Sequence, residues 1–124
     1  AVRYFKEQGY GHLVNISSVA GIRGNGIAPS YNATKAYQIN YLEGLRINAK
    51  KYGSSITITD ARPGFVDTAM AKGEGQFWVS SVEKASKQIF NSIQKKKKVV
   101  YVTKRWRFIA QLLKSIPRIV YDRL

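Results

Sequence analysis

The chain is predicted to be an α/β fold with a parallel sheet, on three observations. Short runs rich in apolar or β-branched residues recur at His12–Ile16, Ser55–Ala61 and Val99–Thr103. Helical patterns stand between and after them, with an apolar stripe in each. Glycine, proline and serine clusters punctuate the joins. Regular alternation of strand and helix packs as helices on a mostly parallel sheet.

Taken in order, Ala1 to Gln8 is a short helical end closed by Gly9-Tyr10-Gly11. His12 to Ile16 is mostly apolar, which suits an interior parallel strand better than an alternating surface one. Its lone histidine has no second metal ligand at a useful spacing and is read as a strand-start residue. Val19 to Ala28 is a connection carrying Gly21, Gly24 and Gly26, either an ordinary loop or backbone that passes close to a bound substrate. A helix follows from Pro29 or Ser30 to Lys51, with Gly53 closing it. Ala33, Ala36, Tyr37, Tyr41, Leu42, Leu45 and Ala49 give it a wide apolar stripe.

Ser55 to Ala61 alternates Ile with Thr and reads as a half-exposed strand. Arg62-Pro63-Gly64 is expected to end it as a turn, proline fixing one dihedral and glycine admitting a positive one. Asp67 to Val79 is poorly patterned. Ser80-Ser-Val-Glu83 reads as a capping box opening a helix with Val82, Ala85, Ile89 and Ile93 on one face. Lys95 to Lys98 separate that helix from the strand at Val99–Thr103. Arg105 to Ile116 is a basic amphipathic helix, stopped or kinked by Pro117.

Composition bounds the function. There is no cysteine, so disulfide frameworks and thiol chemistry are excluded, and a reducing, cytoplasmic setting is the expectation. No apolar run approaches a membrane span. The net charge of +14 is concentrated, with ten Lys and Arg against one Asp from Gln94 to Leu124. A charge run alone carries no base readout, so no specific nucleic-acid site is expected. The tail's apolar turns are expected to pack on the protein's own dimer or tetramer, an anionic membrane surface being the less favoured use.

The chemistry-bearing residues gather in Ser17 to Lys35. Tyr31 and Lys35 lie four apart, one above the other on a helix face, and Tyr31 is the one tyrosine of eight with such a lysine. An ammonium beside a phenol favours the phenolate and brings a group of ordinary pKa about 10 toward usable acid-base strength. Ser18, at the end of the preceding strand, supplies a hydroxyl. The trio suits proton transfer for a carbonyl and alcohol pair.

Gly11-His-Leu-Val-Asn-Ile-Ser-Ser-Val-Ala-Gly21, then Tyr31-Asn-Ala-Thr-Lys35, then Arg62-Pro-Gly-Phe-Val-Asp-Thr68 resembles the C-terminal half of a short-chain dehydrogenase/reductase from about Gly11 to Met70. The resemblance implies a three-layer αβα, Rossmann-type doubly wound domain of which residues 1–124 are the catalytic half. The absence of an initial Met and an opening that reads as a helix already under way fit that expectation. The nucleotide-binding half, with its glycine-rich phosphate loop, is expected upstream. The resemblance further implies hydride transfer with NAD or NADP, the preference open, on a small carbonyl or alcohol. Tyr31 would be the general acid/base, Ser18 would polarise the carbonyl, and Lys35 would hold the nicotinamide ribose and lower the Tyr31 pKa. Pro63, Gly64, Val66 and Thr68 would line the nicotinamide, with Tyr31 and Lys35 also touching the cofactor. A mobile lid is implied over Asp67 to Val79, where Phe77 and Trp78 either cap an apolar substrate or pack in the core. A dimer interface is implied on the long helix, so Tyr37, Tyr41 and Leu45 are either interfacial or core. The competing class is a non-catalytic dehydrogenase half that binds a partner or a membrane surface through its basic tail.

Overall fold

A computed structural model describes residues 1–52, 55–68 and 76–123. Gly53, Met70 and the stretch 69–75 of the expected lid lie outside the described residues. The elements run α1 (Val2–Gln8), β1 (Gly11–Ile16), α2 (Pro29–Ala49), β2 (Ile56–Pro63), α3 (Val82–Gln94), β3 (Val99–Val102), α4 (Trp106–Ser115) and α5 (Arg118–Tyr121). Single 3-10 turns follow β1 at Val19–Ile22 and α2 at Lys50–Tyr52.

The three strands form one parallel sheet in the order β1-β2-β3. Gly11 pairs with Ile56 and Ile16 with Ala61, while Asp60 to Pro63 pair with Val99 to Val102. This is the α/β arrangement with a parallel sheet expected from the alternation of elements, and it fits the Rossmann type that the resemblance implies. β2 is central, which corrects its reading as a half-exposed strand: Ile58 and Thr59 are both buried. A strand flanked on two sides and covered on two faces buries both members of its alternation. The threonine is tolerated because its hydroxyl donates to Lys97 O at 2.6 Å and sits 2.8 Å from His12 Nε2. Thr59 has spent its one hydrogen on Lys97, so His12 donates from Nε2. Burial, with the Lys96 charge, lowers the His12 pKa from the ordinary 6.5.

The core lies between α2 and the sheet, where Leu42, Ala49, Ile56 and Ile58 meet Val2, Phe5, Leu13 and Leu45. The wide stripe on α2 thus divides. Leu42, Leu45 and Ala49 face the sheet, whereas Ala33, Ala36, Tyr37 and Tyr41 are exposed. Leu45 is a core contact. Tyr37 and Tyr41 stack on each other, centroids 5.8 Å apart, on the outer side.

Two local readings are corrected. β2 continues through Arg62 and Pro63, so the expected turn begins only at Gly64, and no glycine but Gly9 among the described residues has positive φ. Pro63 ends its strand, where it can pair through its carbonyl side. The helix cap is shifted by one: Ser81, not Ser80, is the N-cap of α3, its hydroxyl accepting from Lys84 N–H at 3.3 Å. Ser80 is instead buried and forms a parallel bridge with Val66. That bridge holds Ser80 in extended backbone, so the first residue free to turn into a helix is the next one.

Candidate functional site

β1 and β2 run parallel, so their carboxyl ends lie side by side, and the expected site residues follow directly from those ends. Ser17 and Ser18 come straight after β1. Ser18 is nearly buried and caps the 3-10 turn, its Oγ accepting from Ala20 N–H at 3.1 Å and donating to Pro63 O at 3.3 Å. One hydroxyl thereby ties the end of β1 to the end of β2.

The turn presses against α2 at Lys35. A Cβ on Gly21 would lie 2.6 Å from the Lys35 carbonyl carbon, so the glycine is required by close backbone approach; Gly24 and Gly26 face open space. Asn32, buried on the first turn of α2, donates to Ala20 O at 2.6 Å and Arg23 O at 3.0 Å. These contacts fix where α2 begins relative to β1, and with it the helix face carrying Tyr31 and Lys35.

Tyr31 is 41% exposed. The Lys35 ammonium lies 5.7 Å from the centre of its ring and donates to Ile16 O at 3.1 Å and Gln38 Oε1 at 3.3 Å. The helix therefore brings phenol and ammonium to one face as the spacing predicts, with the lysine engaged by the end of β1. No hydrogen bond joins Ser18 to Tyr31 among the described residues.

The Pro63 to Thr68 segment is held by backbone. Gly64 N–H donates to Val102 O at 2.7 Å, Asp67 N–H to Ser80 O at 2.9 Å, and Ser80 N–H to Phe65 O at 3.0 Å. A parallel bridge of this form uses the groups flanking Val66 and leaves its own amide pointing away from Ser80. Thr68 is exposed. Gly64 lies directly beneath the indole of buried Trp106, and any side chain there would run into that ring. Trp106 is the hub of an aromatic group: Phe77 lies 5.1 Å, Phe65 5.5 Å and Trp78 6.1 Å from it between centroids. Phe77 and Trp78 thus pack together while staying partly exposed.

Sequence reasoning missed what lies underneath. Asp60 and Arg62 are buried and paired, Arg62 Nε to Asp60 Oδ2 at 2.7 Å. Ser17 Oγ donates to the other carboxylate oxygen at 2.5 Å, and Arg62 Nη1 donates to Tyr101 OH at 3.1 Å. The network joins all three strands just below the site. The signal was present: opposite charges two apart in a strand share one face.

Known proteins share sequence and fold with this chain. The family model described as short chain dehydrogenase matches residues 1–77. An uncharacterized oxidoreductase of Myxococcus xanthus is 38% identical over 64 residues, 52% of this chain and 24% of that protein. Among solved structures, a short chain dehydrogenase from Burkholderia cenocepacia in complex with NADP superposes with a TM-score of 0.78 at 21% identity, over 98% of this chain and 50% of that one. A short chain dehydrogenase/reductase from Burkholderia phymatum in complex with NAD gives 0.70 at 18% identity, over 90% of this chain and 51% of that one. The chain spans about half the length of these solved relatives. With a family model covering more than half of its residues and a sheet that follows the same plan, the chain belongs to the short chain dehydrogenase family.

Proposed function

We propose that the full protein is an NAD(P)-dependent oxidoreductase acting on a small carbonyl or alcohol, and that this chain is the catalytic C-terminal half of its single dinucleotide-binding domain. What supports the reading is that Ser18, bonded to Pro63 O, and Lys35, bonded to Ile16 O, sit at the carboxyl ends of β1 and β2, with Tyr31 one helical turn from Lys35. Open parallel sheets bind ligands in the crevice beyond those ends.

The residues suit such a cofactor. The unbridged amide of Val66 and the exposed hydroxyl of Thr68 offer partners to a carboxamide, beside Pro63 and Gly64. Lys35 and Tyr31 offer donors to ribose hydroxyls. When bound, the nicotinamide supplies or accepts the hydride. Tyr31 moves the proton, giving it to the carbonyl oxygen in reduction and taking it back in oxidation. Ser18 orients that oxygen; its bond to Pro63 O is long and its hydrogen rotates, so it can turn to a substrate. The flexible stem of Lys35 lets it exchange Gln38 for a ribose hydroxyl. The outer side of α2, with the stacked and exposed Tyr37 and Tyr41, is the surface we assign to a homodimer or homotetramer.

Tyr31→Phe in the full protein tests the reading, because it removes only the proton-carrying oxygen. Turnover followed by nicotinamide absorbance should fall by roughly 10² to 10⁴ with cofactor binding retained. Turnover within about tenfold of wild type would remove Tyr31 from the role.

A further inference from the structure

We propose that the outer side of α4 and α5 docks the protein reversibly on an anionic lipid bilayer surface. The inner side of α4 is already used: Trp106 and Ala110 are buried, and Ile109 and Leu113 are half-buried. Packing against the body of the same chain accounts for those residues. It does not account for Phe108, 76% exposed, or Leu112, 55% exposed, one turn apart on the opposite side. α5 repeats the arrangement. Tyr121 is fastened to the body, its hydroxyl donating to Gly24 O at 2.7 Å and its ring lying 4.0 Å from the Arg23 guanidinium. Ile119 and Val120 beside it are 72% and 51% exposed.

The charges around these side chains select the occupant. Lys104, Arg105, Arg107, Lys114, Arg118 and Arg123 are all exposed, and Asp122 is the one acid in the segment, 3.5 Å from Arg118. A second copy offering the same face would set like charges against like. Nucleic acid would satisfy the cations and leave Leu112, Ile119 and Val120 in water. A bilayer surface takes both, with aliphatic and aromatic groups at the acyl boundary and Lys and Arg at the phosphates. No described helix is long and apolar enough to cross a membrane, so the helices would lie in the interface. The segment is held ready for this: Arg23 Nη1 donates to Leu113 O at 2.9 Å and Ile116 O at 2.5 Å, pinning the join of the two helices.

Co-sedimentation of the full-length protein with vesicles tests this, using phosphatidylcholine alone and phosphatidylcholine mixed with phosphatidylglycerol. Binding is expected to the mixed vesicles and not to the neutral ones. It should weaken about fivefold for each cation removed in Arg107→Gln and Arg118→Gln. The pair Phe108→Gln with Leu112→Gln should weaken it about tenfold or more. Thermal unfolding run alongside shows that these exposed substitutions leave the fold intact. Equal binding to neutral and mixed vesicles, or none to either, overturns the proposal. So does sedimentation velocity in which the apolar pair splits an oligomer and vesicle binding is absent, which assigns the face to contact between copies.

Discussion

Asp60 and Arg62 illustrate what a single residue controls here. Both are withdrawn from water, so each is tolerable only with the other in place. Arg62→Ala should therefore cost about 3 to 5 kcal/mol, read from denaturant unfolding of the full protein. Replacing both by apolar residues of similar size should cost markedly less, because no buried charge is then orphaned. His12 makes a smaller, pH-dependent contribution. Its folded pKa is lowered below 6.5, so at acid pH the unfolded chain binds the extra proton and the folded one resists it. The stability it contributes is present above pH 6.5 and is lost as pH falls through the folded pKa. His12→Gln should flatten that part of the stability profile.

At the scale of elements, the sequence told most where period and punctuation agreed. The spacing of Tyr31 and Lys35 on α2 was legible because a helix repeat is strict, and the strands were legible from their β-branched runs. What escaped was set by neighbours far along the chain. Nothing in Ile-Thr-Ile-Thr says that β2 is central; that depends on β1 and β3 lying on either side. Arg-Pro-Gly looks like a turn until β3 extends the ladder to Pro63 and Trp106 takes the space over Gly64. Likewise, Ser80 and Ser81 are equivalent caps until the Val66 bridge claims the first. Ser81→Ala should thus destabilise by about 1 kcal/mol as a lost helix cap, measured by thermal unfolding. The placement of the candidate site was readable from its motifs; the Asn32 and Asp60-Arg62 groups that brace it were not, since each depends on long-range burial.

The molecule as a whole presents β1 with one neighbour, β2, among the described residues. Leu13, Val14 and Ile16 carry none of the charges or bulges that protect natural sheet edges. On the proposed domain organisation that edge meets a strand from the other half of the fold. Residues 1–124 on their own should consequently not persist as a cofactor-binding monomer, but self-associate or aggregate. Sedimentation of the isolated chain, together with titration by NADPH fluorescence, checks this. A cooperative monomer with micromolar NADPH affinity would overturn the proposed domain organisation.

The indole of Trp106 over Gly64 has an optical consequence. Trp106 is 5% exposed and Trp78 is 40% exposed, and with their rings 6.1 Å apart they share excitation and emit as a coupled pair. The buried member of the pair stands against the segment assigned to the nicotinamide. On the proposed function, a molecule settling beside Pro63 would change the emission of that pair, a readout of occupancy that needs neither label nor coupled assay.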